Sequence, residues 1–365
     1  MNVLNIMQGT NLGGTERSSL ELMRALKLRN FKFHVLSLNT IGPLKEEMDV
    51  NNISYIGFKY QGFWGMPNLF KYRKSIKEFN PDIIFLTGIS FVGMISSLFL
   101  AKKKFLFVHY HHLGVKHLII WKLIYFISYK VFDKIFFVSK FIYDEAKAIY
   151  PKLKKKSFIL PNPLKKRELV KTEDKLMARK SIGLSSKDIV IGNAGWLIRR
   201  KRFDVFLRVC AKVCHAHQNV KILIAGDGEE RSNLIALSKE LGIHDKVIWM
   251  GWVTDMNLFY SSIDLLLFNS DVDAVGLSPL ESIQRGIVTF ASVKRGGLRE
   301  ILSNEFSQFI IYSHDVEILA NRIDSFIQNN SKFKKETLRC RDYVNAISDP
   351  EKIAANFMYF TKLTS

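Results

Sequence analysis

The stretch Asp273-Ala-Val-Gly-Leu-Ser-Pro-Leu-Glu281 sets two carboxylates around a glycine, with seven residues between them. It follows the apolar run Asp264-Leu-Leu-Leu-Phe-Asn269, which reads as a buried strand, and it leads into residues 278–285, which read as a helix begun by Ser278 and Pro279. A strand, a glycine turn and a helix start together present backbone N–H groups and the positive end of a helix dipole, a combination that holds phosphate oxygens. Glu281, inside the helix, is placed to reach ribose hydroxyls, and Asp273 faces the same pocket from the strand end. The stretch reads as a nucleotide-sugar site.

Working outward, apolar strand-length runs alternate with helix-period segments along most of the chain. Candidate strands lie at 3–7, 33–38, 83–86, 105–108 and 135–138, then at 189–194, 222–225, 247–250, 265–268 and 288–291. Helical candidates between them include 16–28, 203–214 and 232–241. Strands apolar on both faces and separated by helices predict parallel sheets covered by helices. The rhythm breaks once, at Pro161-Asn-Pro163 and the Lys/Arg/Glu-rich connection that follows. The expected organisation is α/β: a Rossmann-like domain over 1–165, a second over 166–345, and a C-terminal helix within 346–365 that crosses back to the first. Two such doubly wound domains facing each other would leave a cleft lined by the carboxyl ends of both sheets.

Composition narrows the function classes. The 365 residues are 47% hydrophobic, enough for sizeable cores and against disorder. Three cysteines, Cys210, Cys214 and Cys340, are too few for a disulfide framework, and the N-terminus reads as a strand, so a cytoplasmic protein is expected. Residues 1–165 hold 25 Lys and Arg against 10 Asp and Glu, while the remainder is nearly balanced. The first half therefore meets something anionic. Its lysines are interleaved with aromatic and aliphatic residues, as in Phe70-Lys-Tyr-Arg-Lys74 and His117-Leu-Ile-Ile-Trp-Lys-Leu-Ile-Tyr-Phe126. That mixture suits an anionic membrane surface and a peripheral location at its inner face. Residues 83–101 carry no charge, yet Gly and Ser interrupt them; they read as a strand, a turn and a helix ending at Lys102-Lys-Lys104.

Other turns at strand ends add candidates. Gly13 and Gly14 follow the first strand, with Gly13 expected at an acceptor and Gly14 at the donor phosphate. Gly195-Trp-Leu-Ile-Arg-Arg-Lys-Arg-Phe-Asp204 puts four cations on one loop, a charge run that reads either as a solvated face or as a neutraliser of a leaving diphosphate. Lys201 is the foremost candidate, with Arg200 behind it. Ala225-Gly-Asp-Gly228 is another glycine turn, which reads either as a loop that caps the donor nucleotide through Gly228 or as an ordinary tight turn, and Trp252 is placed either to wall a nucleobase slot or simply to pack. Phe107-Val-His-Tyr-His-His112 ends a strand with imidazoles; His109 and His111 share a side, His111, nearer the strand exit, is taken to contact the transferred sugar, and His109 is expected at the acceptor. Phe206, Cys210, Val213 and Cys214 fall on one helical stripe, so those cysteines read as core and not as metal ligands. Asp271-Val-Asp273 imitates a metal-binding Asp-x-Asp, but its context favours sugar contact; no metal and no cofactor are expected.

In chain order, Gly195…Lys201, Ala225-Gly-Asp-Gly228, Gly251, Asp264…Ser270, Asp273-x7-Glu281, Gly286 and Gly296-Gly-Leu-Arg-Glu300 resemble the plan of the large retaining glycosyltransferase family 4, which has the GT-B fold. Gly13-Gly14, the strand-end histidines, Val138-Ser139-Lys140 and Pro161-Asn162 extend the resemblance into the first half. The resemblance implies that Glu281 binds the donor ribose, that Asp273 takes the place of the first Glu of a Glu-x7-Glu signature, and that backbone groups of Gly276, Leu277 and Ser278 hold the diphosphate with Lys201. Two departures stand out: Trp196 occupies a position where many members carry Arg, and Asp273 is one methylene shorter than Glu. The implied activity is retaining transfer of a hexosyl unit from a nucleotide diphosphate sugar, with UDP-sugar favoured, to a lipid-linked saccharide in O-antigen or capsule assembly. The alternative is a nucleotide-sugar epimerase of the same architecture. A dinucleotide oxidoreductase is disfavoured because neither 7–14 nor 193–201 contains Gly-x-Gly-x-x-Gly, and a nucleic-acid partner because no binding motif accompanies the basic half.

Overall fold

The computed structural model describes residues 1–59, 63–109, 118–303 and 305–363. The chain divides into two units, Met1–Lys165 with Ser348–Ser365, and Lys166–Ile347.

In the first unit, β1 (Asn2–Met7), β2 (Lys32–Ser37), β3 (Ser54–Gly57), β4 (Ile83–Thr87), β5 (Lys103–Val108), β6 (Lys134–Phe137) and β7 (Ser157–Ile159) form one parallel sheet. The order is β3-β2-β1-β4-β5-β6-β7. The chain starts at the middle, winds outward through β2 and β3, then returns past β1 to β4. The switch point lies between β1 and β4, so the crevice for a ligand opens at their carboxyl ends. The core is aromatic: Phe33, Phe85, Phe105, Phe107 and Phe136 are buried in one cluster. The helix Pro350–Thr361 completes it, with the Phe357 ring 5.3 Å from both Phe85 and Phe136. Asp349 caps that helix through the N–H groups of Glu351 and Lys352, which fixes where it begins.

The second unit repeats the plan with β8 (Ile189–Ala194), β9 (Val220–Ala225), β10 (Val247–Gly251), β11 (Leu265–Asp273), β12 (Val288–Gly296) and β13 (Ile310–Ile311), in the order β10-β9-β8-β11-β12-β13. Its switch point falls between β8 and β11. The run Leu265–Ser270 is buried at every position, as a central strand covered on both faces must be. Cys210 and Cys214 sit inside the helix Phe203–Ala216 as buried free thiols.

Several expectations are corrected. β3, β7 and β13 are absent from the sequence reading because they are two to four residues long and lie at or near sheet edges, too short for periodicity to register. β11 and β12 run on to Asp273 and Gly296, which pair with each other, so the first carboxylate of the quoted stretch is itself a strand residue. The helix expected to end at Lys102-Lys-Lys104 stops at Ser96, and Lys103 opens β5, where the Lys104 N–H donates to the Asp133 carboxylate at 2.7 Å. Among the described residues no helix is long and apolar enough to cross a membrane.

Candidate active site

The carboxyl ends of β8 and β11 carry most of the second unit's singled-out residues. β11 delivers Asp273, Gly276 then turns the chain, and the helix begins at Leu277 and runs to Gln284. The helix therefore starts one residue before Ser278, with the cap position ahead of it. Gly276 occupies that position with φ 76°, and no side chain caps the helix. A Cβ there would sit 3.2 Å from Pro279 Cγ and 3.3 Å from Leu298 Cδ2, in a backbone conformation that side chains disfavour. The Ser278 hydroxyl instead donates to the Ala194 carbonyl at 3.1 Å, tying the helix start to the end of β8.

The four cations of the 195–204 loop separate by role. Lys201 forms an ion pair with Asp273, and its Nζ lies 4.8 Å from the centre of the Phe268 ring. Arg200 donates to the Val272 carbonyl at 2.6 Å, next to Asp273. Arg202 grips Asp204 at 2.9 Å and reaches Asp271 at 3.5 Å, while Arg199 is exposed at a pocket of about 390 Å³ shared with Ile198, Arg202 and Phe203. Burial alone would raise the Asp273 carboxyl. The nearby Lys201 charge and hydrogen bond, then the Arg200 charge and the Val275 N–H, outweigh it and hold the group below the usual carboxylate range. Asp273 is ionised in a largely dry place.

Glu281 is buried, and the Tyr260 hydroxyl lies 3.1 Å from both its Oε2 and the Ser278 carbonyl. Arg285 lies over the Tyr260 ring at 4.3 Å and donates to the Glu281 carbonyl at 3.0 Å and to Asn257 at 3.2 Å. Tyr260 and Arg285 escaped the sequence reading. Tyr260 precedes Glu281 by 21 residues, and only the fold reveals that it orients this carboxylate.

The loop after β9 passes close beneath the loop after β8. A Cβ on Gly228 would stand 2.5 Å from the Leu197 carbonyl oxygen, so only glycine permits the approach. On this side the half-exposed Trp196 and Trp252 rings lie 4.7 Å apart at 51°. Trp196, at the position where an arginine is common in the resembled family, thus adds an aromatic wall and not a charge; Arg200, one candidate to replace that charge, is anchored on β11.

Asp271 faces Arg202, Lys294 at 3.2 Å and His314 at 3.2 Å. With Asp273 on Lys201, both acids of Asp271-Val-Asp273 are matched by cationic or imidazole groups, and among the described residues no group of three or more His, Cys, Asp or Glu is arranged to hold a metal.

In the first unit, the helix Gly14–Lys27 starts beyond β1 with Gly13 as an extended, uncapped N-cap. A Cβ on Gly13 would press on the Glu16 carboxylate. That carboxyl is pushed up by burial, with a backbone hydrogen bond opposing. His109, just past β5, is buried, which pulls its imidazole down to about 4 against a hydrogen bond with Asn162. Asn162 in turn accepts from Ser18 of the helix at 2.8 Å. His109 is therefore neutral at pH 7. His111 lies outside the described residues. Lys201, Asp273, Gly276, Leu277, Ser278 and Glu281 are brought to one end of the second sheet; Gly13, Gly14 and His109 belong to the first unit.

Residues 174–344 match the family model of group 1 glycosyl transferases, and residues 12–166 that of glycosyltransferase family 4. An uncharacterised glycosyltransferase of Methanocaldococcus jannaschii is 29% identical over 210 residues, which is 53% of each chain, so the chain spans about half the length of that relative. A Campylobacter jejuni enzyme named as an alpha-1,4-N-acetyl-D-galactosaminyltransferase of a diNAcBac-PP-undecaprenol-linked glycan is 23% identical, with 94% of each chain covered. Among solved structures, Anabaena Alr3699/HepE in complex with UDP and glucose superposes with a TM-score of 0.86 at 17% identity over 99% of each chain. With two sheets wound alike and family models matching both halves, this chain belongs to the family 4 glycosyltransferases of the GT-B fold.

Proposed function

We propose that this glycosyltransferase moves a hexosyl unit from a UDP-sugar to a hydroxyl of a lipid-linked saccharide in surface-polysaccharide assembly, with retention at the anomeric carbon. The observation that carries the reading is the Lys201–Asp273 pair beside the uncapped start of the helix Leu277–Gln284. Breaking the glycosidic C–O bond sends its electron pair to the diphosphate and leaves positive charge on the sugar ring. Lys201 and the N–H groups of Leu277 and Ser278 meet the first charge; the Asp273 carboxylate meets the second. The acceptor oxygen forms the new bond on the same face, and its proton passes to the departing phosphate oxygen. Glu281, steadied by Tyr260, takes the ribose hydroxyls, and Trp252 with Trp196 walls the base. His111 serves the transferred sugar by hydrogen bonding; His109, neutral, and Gly13 serve the acceptor, and Gly14 the donor phosphate. Because Asp271 already faces cationic side chains, the diphosphate is neutralised here by Lys201 and backbone without a metal. UDP bound to the Anabaena neighbour and the undecaprenol-linked glycan of the Campylobacter relative support the choice of donor and acceptor.

The test is transfer from a panel of nucleotide sugars to a short-chain polyprenyl diphosphate saccharide, with and without EDTA, reading the new anomeric configuration by NMR. Retention from a UDP-sugar in the presence of EDTA is expected. An inverted product, or an altered free sugar with no acceptor consumed, overturns the reading.

A further inference from the structure

We infer that the helix Leu118–Val131 of the first unit is a docking surface for an anionic lipid bilayer, its outer apolar stripe entering the headgroup boundary beside a cluster of lysines. This deepens the lipid-acceptor reading by naming the surface that would bring the protein to its acceptor, and it stands on features of that surface alone.

The helix sequence, Leu-Ile-Ile-Trp-Lys-Leu-Ile-Tyr-Phe-Ile-Ser-Tyr-Lys-Val, contains no carboxylate. Ile119, Leu123 and Phe126 follow at intervals of four and three, which puts them on one helical face, and they are 84%, 55% and 44% exposed. Tyr125 and Ser128, on the opposite face, are fully buried. Single exposed apolar side chains are ordinary; a stripe of them on one helix marks an interaction surface. The mounting is firm: the Phe126 and Tyr129 rings lie 6.3 and 5.9 Å from the Tyr150 ring, and Lys156 donates to the Tyr129 carbonyl at 2.9 Å.

These same contacts bring the turn Pro151–Lys155 alongside. Leu153 anchors that turn in the core, leaving Lys152, Lys154 and Lys155 exposed. Neither the helix nor the turn has an acidic residue to pair with them. A second copy packed symmetrically on this face would set lysines against lysines, whereas lipid phosphates meet both the stripe and the cluster. At 14 residues the helix is about 21 Å long, short of a bilayer core, and so it lies in the interface plane.

Flotation with phosphatidylcholine vesicles, with and without phosphatidylglycerol, tests this on the full chain. The wild type is expected to float with the anionic vesicles at low salt and to be released as salt rises. A double Ser replacement of Ile119 and Leu123, which leaves the Phe126 ring packed on Tyr150, and a triple Ser replacement of Lys152, Lys154 and Lys155 should each lower partitioning on the order of a hundredfold while leaving the melting temperature unchanged. Wild-type flotation by both folded variants, or none by the wild type, overturns the assignment; so does a dimer in sedimentation that the apolar variant abolishes. Transfer is measured separately on a water-soluble acceptor, so a protein that floats but is inactive supports the docking surface and counts only against the acceptor reading.

Discussion

At the start of the helix Gly14–Lys27 burial decides protonation, and at the start of the helix Leu277–Gln284 neighbouring charges decide it. Both helices leave a switch point of their sheet, and both have a glycine cap with no side-chain partner. Around the first, burial pushes the Glu16 carboxyl up and the His109 imidazole down, each toward its neutral form. Around the second, burial also acts to raise Asp273, but Lys201 and Arg200 reverse the outcome. A neutral imidazole such as His109 suits hydrogen bonding to the uncharged hydroxyls of a saccharide; an ion pair held ready suits a reaction in which charge separates. The same fold thus carries two different electrostatic solutions, and each can be probed.

The largest effect is expected from Lys201→Ala, which removes the cation that sets the second solution. Turnover should fall on the order of a hundredfold, comparable to losing one oxyanion donor. Leaving Asp273 unpaired should also destabilise the fold, by about 3 kcal/mol. Steady-state kinetics on protein shown to be folded by circular dichroism would settle it; unchanged turnover removes the electrostatic contrast between the two helix starts.

Gly276→Ala tests the geometry of the same end. A methyl group at φ 76°, pressed on Pro279 and Leu298, should cost roughly 1–2 kcal/mol of stability, read in urea unfolding, and weaken UDP binding in calorimetry. The parallel Gly13→Ala change has an extended backbone, so its cost should come from displacing Glu16 and not from φ.

Tyr260→Phe removes one hydroxyl shared by Glu281 and Ser278. A loss of about 1 kcal/mol is expected. It should appear as a several-fold rise in KM for the donor with little change in kcat, because the ribose contact proposed for Glu281 would be made equally in ground and transition states. A fall in kcat alone would place Tyr260 in the chemical step instead.

The effect smallest near neutrality concerns His109. Its folded pKa, about 4, lies below the ordinary imidazole value of about 6.5, so between these limits the unfolded chain binds a proton that the folded chain excludes. Stability from this group is full above pH 6.5, falls as the pH drops toward 4, and is level below that. Asp273 adds its own loss at lower pH as its carboxylate protonates. His109→Gln should flatten the upper part of the melting-temperature profile; an unchanged profile would mean that burial does not govern the first site.

Much of this architecture is legible in the chain. Runs such as Leu265–Phe268 are apolar at every position, so they announce central strands, and the spacing from Asp273 to Glu281 places both acids around a turn whatever surrounds them. The helix begun by Ser278 and Pro279 is legible to within a residue of its start at Leu277, but nothing local signals that the Ser278 hydroxyl is taken by Ala194, 84 residues earlier. Tyr260 and Arg285 were overlooked for the same reason: alone they look like core and surface residues.

Periodicity, turn residues and motif order are properties of neighbours in the chain, and these were enough to specify two doubly wound halves and to single out acids and cations that the fold gathers at one end of the second sheet. Pairings across the fold were settled only when the strands assembled. Lys201 and Asp273 are 72 positions apart, and whether the carboxyl is ionised depends on how desolvation balances against a charge that folding alone brings into contact. The outward stripe of the helix Leu118–Val131 has the same origin, since a helix apolar nearly all round reveals which side is left uncovered only after its neighbours have packed.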